Sequence, residues 1–161
     1  MAADLVWKHA RFDALSVREL YALLQLRSAV FVVEQDCLFQ DMDDSDAQAM
    51  HLMAWSGDRL LAYARCFGPG VKFGEASIGR VATHIAARGT GLGLLLVQKA
   101  IGLVSATWGT QPIRIGAQAR LRKFYQGLGF DDMGIPYVED GIDHLEMVWR
   151  PPTQEMTRHA Q

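Results

Sequence analysis

The stretch from Ile78 to Gly93 reads Ile-Gly-Arg-Val-Ala-Thr-His-Ile-Ala-Ala-Arg-Gly-Thr-Gly-Leu-Gly and runs straight into Leu94-Leu95-Leu96-Val97. A short apolar run rich in branched residues, then alternate glycines, then an apolar segment without breakers predicts a strand, a tight loop and a helix. That order constrains the ligand as well as the fold. The amides from Gly89 to Leu94 become unpaired donors of a helix's first turn, the helix dipole adds partial positive charge, and Arg88 adds a full one. The segment reads as an anion site for a ligand that carries phosphates.

Spacing narrows the ligand. A P-loop needs four residues between its glycines and then Gly-Lys-Ser/Thr, but no lysine follows Gly93 and no hydroxyl is placed to hold Mg²⁺. A dinucleotide fingerprint counted from Gly89 and Gly91 puts Leu94 where its third glycine belongs. Nucleotide hydrolysis and Rossmann-type dinucleotide binding are both set aside.

The chain has 161 residues, half of them hydrophobic, and a net charge of -2. It is long enough for one well-filled core, and residues 1–150 are expected to form a single domain followed by a polar tail over 151–161, opening at Pro151-Pro152. The absence of a basic excess argues against nucleic-acid binding, and no segment reaches membrane-spanning length. Cys37 and Cys66 have no metal or redox spacing and read as reduced thiols. With Asp4 early and no apolar leader, the expected location is the cytoplasm, with no metal, no nucleic acid and no membrane partner.

In chain order, Leu5 to His9 suits a first strand. Ser16 with Glu19 makes a capping box ahead of Leu20, Leu23, Leu24, Arg27 and Phe31 at helical spacing. Asp36 to Asp46 is acidic and irregular, either a solvated loop or one wall of a site for a cationic amine. Met50–Ser56 and Arg59–Phe67 flank Gly57-Asp58 as a hairpin, and Ala76–Thr83 is the strand entering the glycine loop. A helix from about Gly91 to Ala106, a strand over Pro112–Ala117, a short helix over Ala119–Gly127 and closing strands around Phe130, Tyr137 and Leu145–Trp149 complete the chain. An α+β fold results, and its free strand edges leave room for a homodimer.

Arg88-x-x-Gly91-x-Gly93 resembles the acyl-coenzyme A pyrophosphate loop of the GNAT superfamily of N-acyltransferases. Gly116-Ala117-Gln118-Ala119, followed by Phe124-Tyr125 and Gly129-Phe130, resembles that superfamily's second signature. The blocks Arg27–Gln35, Ala62–Arg65, Ile78–Val81, Gly116–Ala119 and Glu139–His144 are similar to its ElaA-type branch and span most of residues 25–149. The resemblance implies a mixed, mostly antiparallel, twisted sheet of six to seven strands with about four helices, splayed between two central parallel strands where the pantetheine of acetyl-CoA inserts. It implies cofactor contacts from Val81, Ala82 and Thr83, from Arg88, Gly89, Thr90, Gly91, Leu92, Gly93 and Leu94, and from Gln118, Phe124 and Tyr125.

The implied activity is N-acetyl transfer from acetyl-CoA to a primary amine of a small molecule or peptide, with a non-catalytic acyl-CoA sensor as the alternative. Such transfer needs a neutral amine, a polarised thioester carbonyl and a proton for the leaving thiolate. Tyr125 is the expected acid and the Val81 amide the expected carbonyl donor. Many relatives carry a glutamate in the strand before the glycine loop, where this chain has Arg80. The base is therefore open among Glu34, His51, Glu139 and His144, foremost Glu34 and His51. Arg80 is expected to form a structural ion pair and Arg65 either to pair or to bind substrate.

Overall fold

The computed structural model describes residues 4–152. All but the first two residues of the expected tail lie outside that range. Strands β1 (Leu5–Arg11), β2 (Met50–Ser56), β3 (Arg59–Phe67) and β4 (Ser77–Thr83) form an antiparallel sheet in that order. Gly57, with φ of +60°, makes the tight β2–β3 turn that the Gly-Asp pair predicts. A second antiparallel sheet holds β5 (Ile113–Gln118), β7 (Ile142–Trp149) and β6 (Phe130–Glu139), with β7 in the middle.

The two sheets meet only where β4 and β5 begin. Ala76 forms a parallel bridge with Ile113, and the Arg114 amide donates to the Ala76 carbonyl at 2.9 Å. Beyond that point no ladder joins the two strands. This is the expected splay between central parallel strands.

Helix α1 (Val17–Arg27) starts at the predicted capping box. The Ser16 hydroxyl accepts from the Glu19 amide at 3.0 Å, and the Glu19 carboxylate accepts from the Ser16 amide at 2.8 Å. The helix runs without a break into a π-helical stretch over Ser28–Glu34, and among the described residues three α-helices stand where about four were expected. Helix α2 (Leu92–Trp108) buries Leu92, Leu96, Val97, Ala100, Leu103 and Val104, a helical stripe that covers one face of the sheets. From Ala62 onward β3 alternates: Ala62, Ala64 and Cys66 pack into this core, whereas Tyr63 joins Leu23, Leu26 and Val30 on the opposite face. The short α3 (Arg122–Gly127) follows β5 and sends Tyr125 into the α2-side core. Among the described residues no helix is long and apolar enough to cross a membrane.

Candidate active site

The separation of β4 from β5 is reinforced within β4 itself. Tyr63 pairs with Ala82 and Arg65 with Gly79, so Arg80 and Val81 both stand opposite Ala64. That extra residue is a β-bulge, and Arg80 sits in it with φ of +48°, a left-handed conformation unusual for a residue with a side chain. The bulge turns the backbone on either side of Val81 and lets the Arg80 side chain swing toward the acidic loop.

At the far end of β4 the glycine loop has the predicted form. Gly89 and Gly91 have φ of +78° and +84°, and Gly91 is the N-cap of α2 without any side-chain cap. The first amides of a 17-residue helix are therefore free to meet an anion. A Cβ at Gly89 or Gly91 would meet nothing within 4 Å, and at Gly93 only Phe124 and Thr83 at 3.9 Å. The loop is open on its ligand side. Arg88 donates to Glu34 at 2.8 Å and to the Thr83 carbonyl at 3.1 Å. Thr90 donates to the Ala87 carbonyl at 2.6 Å, which steadies the turn. The Ala82 side chain faces the α1-side core, so only its backbone can serve a ligand. Leu94 is exposed, and Thr90, Gly91 and Leu92 also border a separate pocket of about 280 Å³ with Leu5 and Leu61.

A cleft of about 490 Å³ opens along the splay, lined by Val81 of β4, by Gln118 of β5 and by Tyr125 of α3. Tyr125 is only 7% exposed and packs edge-on against Phe124 and Phe130. Burial pushes its phenol up to about 12, and no hydrogen bond to its hydroxyl is found among the described residues. Its proton is retained at neutral pH and is uncommitted. Gln118 accepts from Arg120 at 3.1 Å and donates to Gln35 at 3.2 Å, a link across the cleft from β5 to the end of the π-helical stretch. Phe31, Phe39, Phe67 and Phe73 give the cleft an aromatic wall that sequence pattern alone does not reveal, because they come from four separate segments.

In the acidic loop Asp36 and Asp44 are exposed, whereas Asp41, Asp43 and Asp46 are neither freely solvated nor a free anionic wall. Asp41 accepts from Arg27 at 2.7 Å and from Arg80 at 2.9 Å; Asp46 accepts from Arg27 at 2.7 Å and from Arg65 at 2.9 Å; Asp43 binds Arg65 and Lys72. Arg27 is fully buried and Arg65 is 3% exposed. Each of these guanidinium groups is matched by carboxylates, the condition for keeping such a charge inside a protein. Burial alone would raise the Asp43 and Asp46 carboxyls, but the hydrogen bonds and charge of Arg65, and for Asp46 also of Arg27, outweigh it and hold both below the usual range. Arg80 and Arg65 both prove to be paired structurally, and of the loop's carboxylates Asp43 lines the cleft.

Two of the residues considered for the base are drawn away from the cleft. His51 is wholly buried; its Nδ1 accepts from the Tyr63 hydroxyl at 2.6 Å and its Nε2 donates to the Asp46 carbonyl at 2.8 Å. Desolvation lowers its pKa and keeps it neutral. Both nitrogens are committed, so the expectation of a base at His51 is corrected to a structural role. Glu34 is held outward by Arg88 and does not line the cleft.

Glu139 and His144 do line it. The His144 ring stacks on Tyr137 with centroids 5.3 Å apart, and its Nδ1 lies 2.7 Å from the Ile142 carbonyl. Burial and the nearby charges of Glu139 and Glu146 push the Tyr137 phenol up to about 12. A Cβ at Gly116 would collide with the Tyr137 hydroxyl, which explains that glycine of the second signature as room for a side chain reaching over from β6. Tyr137 gives no signal in the sequence; its role arises only when β6 is placed two strands from β5.

The comparisons agree with this geometry. The acetyltransferase (GNAT) domain family matches residues 18–151. The chain is 43% identical over 143 residues to protein ElaA of Escherichia coli, covering 88% of this chain and 94% of that protein. It superposes on the crystal structure of an acyl-CoA N-acyltransferase from Pseudomonas aeruginosa with a TM-score of 0.85 at 42% identity, covering 90% of this chain and 99% of the other. The E. coli ElaA crystal structure gives 0.84 at 40% identity, covering 91% and 99%. An aminoglycoside 6'-N-acetyltransferase solved with coenzyme A shares the fold with a TM-score of 0.67 at 15% identity, covering 90% and 99%. A splayed sheet, a capless glycine turn ahead of α2 and a buried, uncommitted tyrosine are thus the local features of an acyltransferase that belongs to the GNAT acetyltransferase family, among the relatives of ElaA.

Proposed function

We propose that the chain transfers an acetyl group from acetyl-CoA to a primary amine of a small molecule or peptide. The observation that carries this reading is the unpaired edge of β4, which leads from the open glycine loop directly to the cleft containing Tyr125. A pantetheine arm laid along that edge would complete the hydrogen bonding of Val81 and Thr83 as an added strand does. The amides from Gly89 to Leu94, with Arg88, would hold the pyrophosphate; Arg88 would exchange Glu34 for it, and Gln118 would exchange Gln35 for the pantetheine amide. Gly93 supports the same reading, since neither its backbone nor its neighbours require glycine, whereas a phosphate approaching the helix start does.

In this reading the Val81 amide polarises the thioester carbonyl and Tyr125 donates its proton to the departing thiolate. Burial keeps the phenol protonated, so a proton is held where the thiolate would leave. Asp41, Asp43 and Asp46 of the acidic loop are spent on arginines and Glu146 on Arg114, so an ammonium would meet Glu139 and Asp140 of the β6–β7 hairpin instead. Reduced Cys37 and Cys66 suit a cytoplasmic enzyme.

The test begins with thermal unfolding in acetyl-CoA, coenzyme A, ATP and NAD at equal concentration. Stabilisation by the two coenzyme A species alone is expected; a larger effect of ATP or NAD overturns the cofactor reading. Thiol release from acetyl-CoA is then followed with spermidine, lysine ethyl ester, ethanolamine and aspartate as acceptors. Tyr125→Phe should bind acetyl-CoA as the wild type does and lose about 100-fold or more in kcat. Unchanged kcat removes Tyr125 from the mechanism.

A further inference from the structure

Acetyl transfer as proposed above leaves one proton without a destination, because an amine reaches the enzyme mainly as an ammonium ion and attacks only after losing a proton. The β4 strand carries Arg80 rather than a carboxylate, Glu34 is tied to Arg88, and both nitrogens of His51 are committed. We infer that His144 is the general base that takes this proton, through Nε2, with Glu139 stabilising the imidazolium that results.

Five observations support this assignment, which rests on the acyltransferase reading. The His144 ring lines the cleft yet is only 11% exposed, so it is shielded without being sealed. Its Nδ1 lies 2.7 Å from the Ile142 carbonyl, and because a carbonyl only accepts, Nδ1 carries the hydrogen and the neutral ring's lone pair is on Nε2. Glu139 Oε2 lies 3.8 Å from Nε2, close enough to pair with an imidazolium, and its side chain is 57% exposed, free to move aside for an amine. The Tyr137 ring stacked at 5.3 Å fixes the imidazole plane. In register, His144 stands directly opposite Gln118, the last residue of the strand that borders the splay. No comparable set of restraints orients Glu139 itself.

The step balances. His144 Nε2 takes a proton from the ammonium and becomes imidazolium. The freed nitrogen lone pair forms the N–C bond to the thioester carbon, the C–S bond breaks, and the thiolate takes the Tyr125 proton. The amide nitrogen returns a proton to the tyrosinate, and the imidazolium releases its own to solvent. The products are amide, coenzyme A thiol and one proton.

Other titratable or charged groups around His144 are Tyr137 on β6, Asp140 at the hairpin turn, Glu146 on its own strand with Arg114 of β5 beside it, and Arg120 after β5. A pH profile of the wild type alone would mix their titrations, so the test compares variants and acceptors. With the alkylamine that turns over fastest among the four above, His144→Gln should lose about 100-fold in kcat/KM, with the acetyl-CoA thermal shift unchanged. With hydroxylamine, already a neutral nucleophile at neutral pH, the same variant should stay within about threefold of wild type. Equal losses with both acceptors overturn the role of His144.

A readout independent of turnover is ¹⁵N NMR of the His144 ring in the full chain, where hydrogen on Nδ1 is expected and hydrogen on Nε2 overturns the inference. A wild type that binds acetyl-CoA but acetylates no amine also overturns it. Failure to bind acetyl-CoA, by contrast, defeats the acyltransferase reading while the tautomer result stands.

Discussion

Gly91 and Gly93 are two residues apart in the same loop, yet different forces hold them. Gly91 turns the chain into α2 with φ of +84°, where any L side chain is strained. Gly91→Ala is therefore expected to destabilise the ligand-free protein by about 1–2 kcal/mol, read as a lower denaturant midpoint at unchanged slope. Gly93 lies inside the helix, and a Cβ there meets nothing nearer than 3.9 Å. Gly93→Ala should raise ligand-free stability by up to about 1 kcal/mol, the helix-propensity difference. A loss at residue 93 would mean that the turn, not the ligand, requires both glycines. Gly91 was legible in sequence because a turn's needs are local. Arg80 was not: its left-handed φ follows from a register shift against β3, and nothing near it in the chain announces that shift. His51 was misread for a similar reason, since Tyr63 and Asp46 satisfy its two nitrogens from another strand and from a loop.

Among the elements, the helices and strands followed the sequence pattern closely, and the loop from Asp36 to Asp46 did not. Hydrophobic period and caps specify α1, α2 and the β2–β3 hairpin because each is decided by contacts nearby. The acidic loop is shaped by Arg27 of α1, Arg65 of β3 and Arg80 of β4, so its composition could not say whether its charge was free or spent. The network clamps α1 to the sheet at the wall of the cleft. Asp41→Ala leaves Arg27 and Arg80 short of an acceptor and should cost about 3–5 kcal/mol, measured by denaturant unfolding. The pH response follows from the signs of the shifts. Asp43 and Asp46 have lower pKa values folded than unfolded, so the stability they contribute is complete above the unfolded value near 3.9 and is lost as pH falls toward the folded values. His51 is also lowered, so its contribution is complete above about 6.5 and is lost as pH falls below that, because the unfolded chain then binds a proton that the folded site refuses. Thermal midpoints should decline in two stages on acidification, and a curve flat down to about pH 5 would show that His51 contributes nothing.

For the molecule as a whole, the joint between the two sheets is where strand pairing is thinnest and, in the proposed reading, where the ligand lies. One bridge from Ala76 to Ile113 and one amide bond from Arg114 join the strands at their base, and the Gln35–Gln118 and Cys37–Asp140 contacts tie the loop after α1 to the second sheet. Two parallel strands that part after one bridge leave a row of backbone groups on β4 with no protein partner. Those groups are answered by solvent and, in the proposed reading, by an extended ligand laid between the strands. Hydrogen exchange tests this directly. On addition of acetyl-CoA, amides of residues 79–83 and 88–94 should exchange more slowly, whereas exchange in the β1–β2 ladder through local openings should stay as it was. At about 100 times its dissociation constant the ligand adds roughly 2.7 kcal/mol, so amides that open only by global unfolding should slow about 100-fold. If only the global class slows and residues 79–83 do not, the ligand binds elsewhere and β4 is not its partner strand. If both classes slow, the ligand acts as the missing strand between two half-sheets, and the instability of the free joint is what leaves room for the reaction.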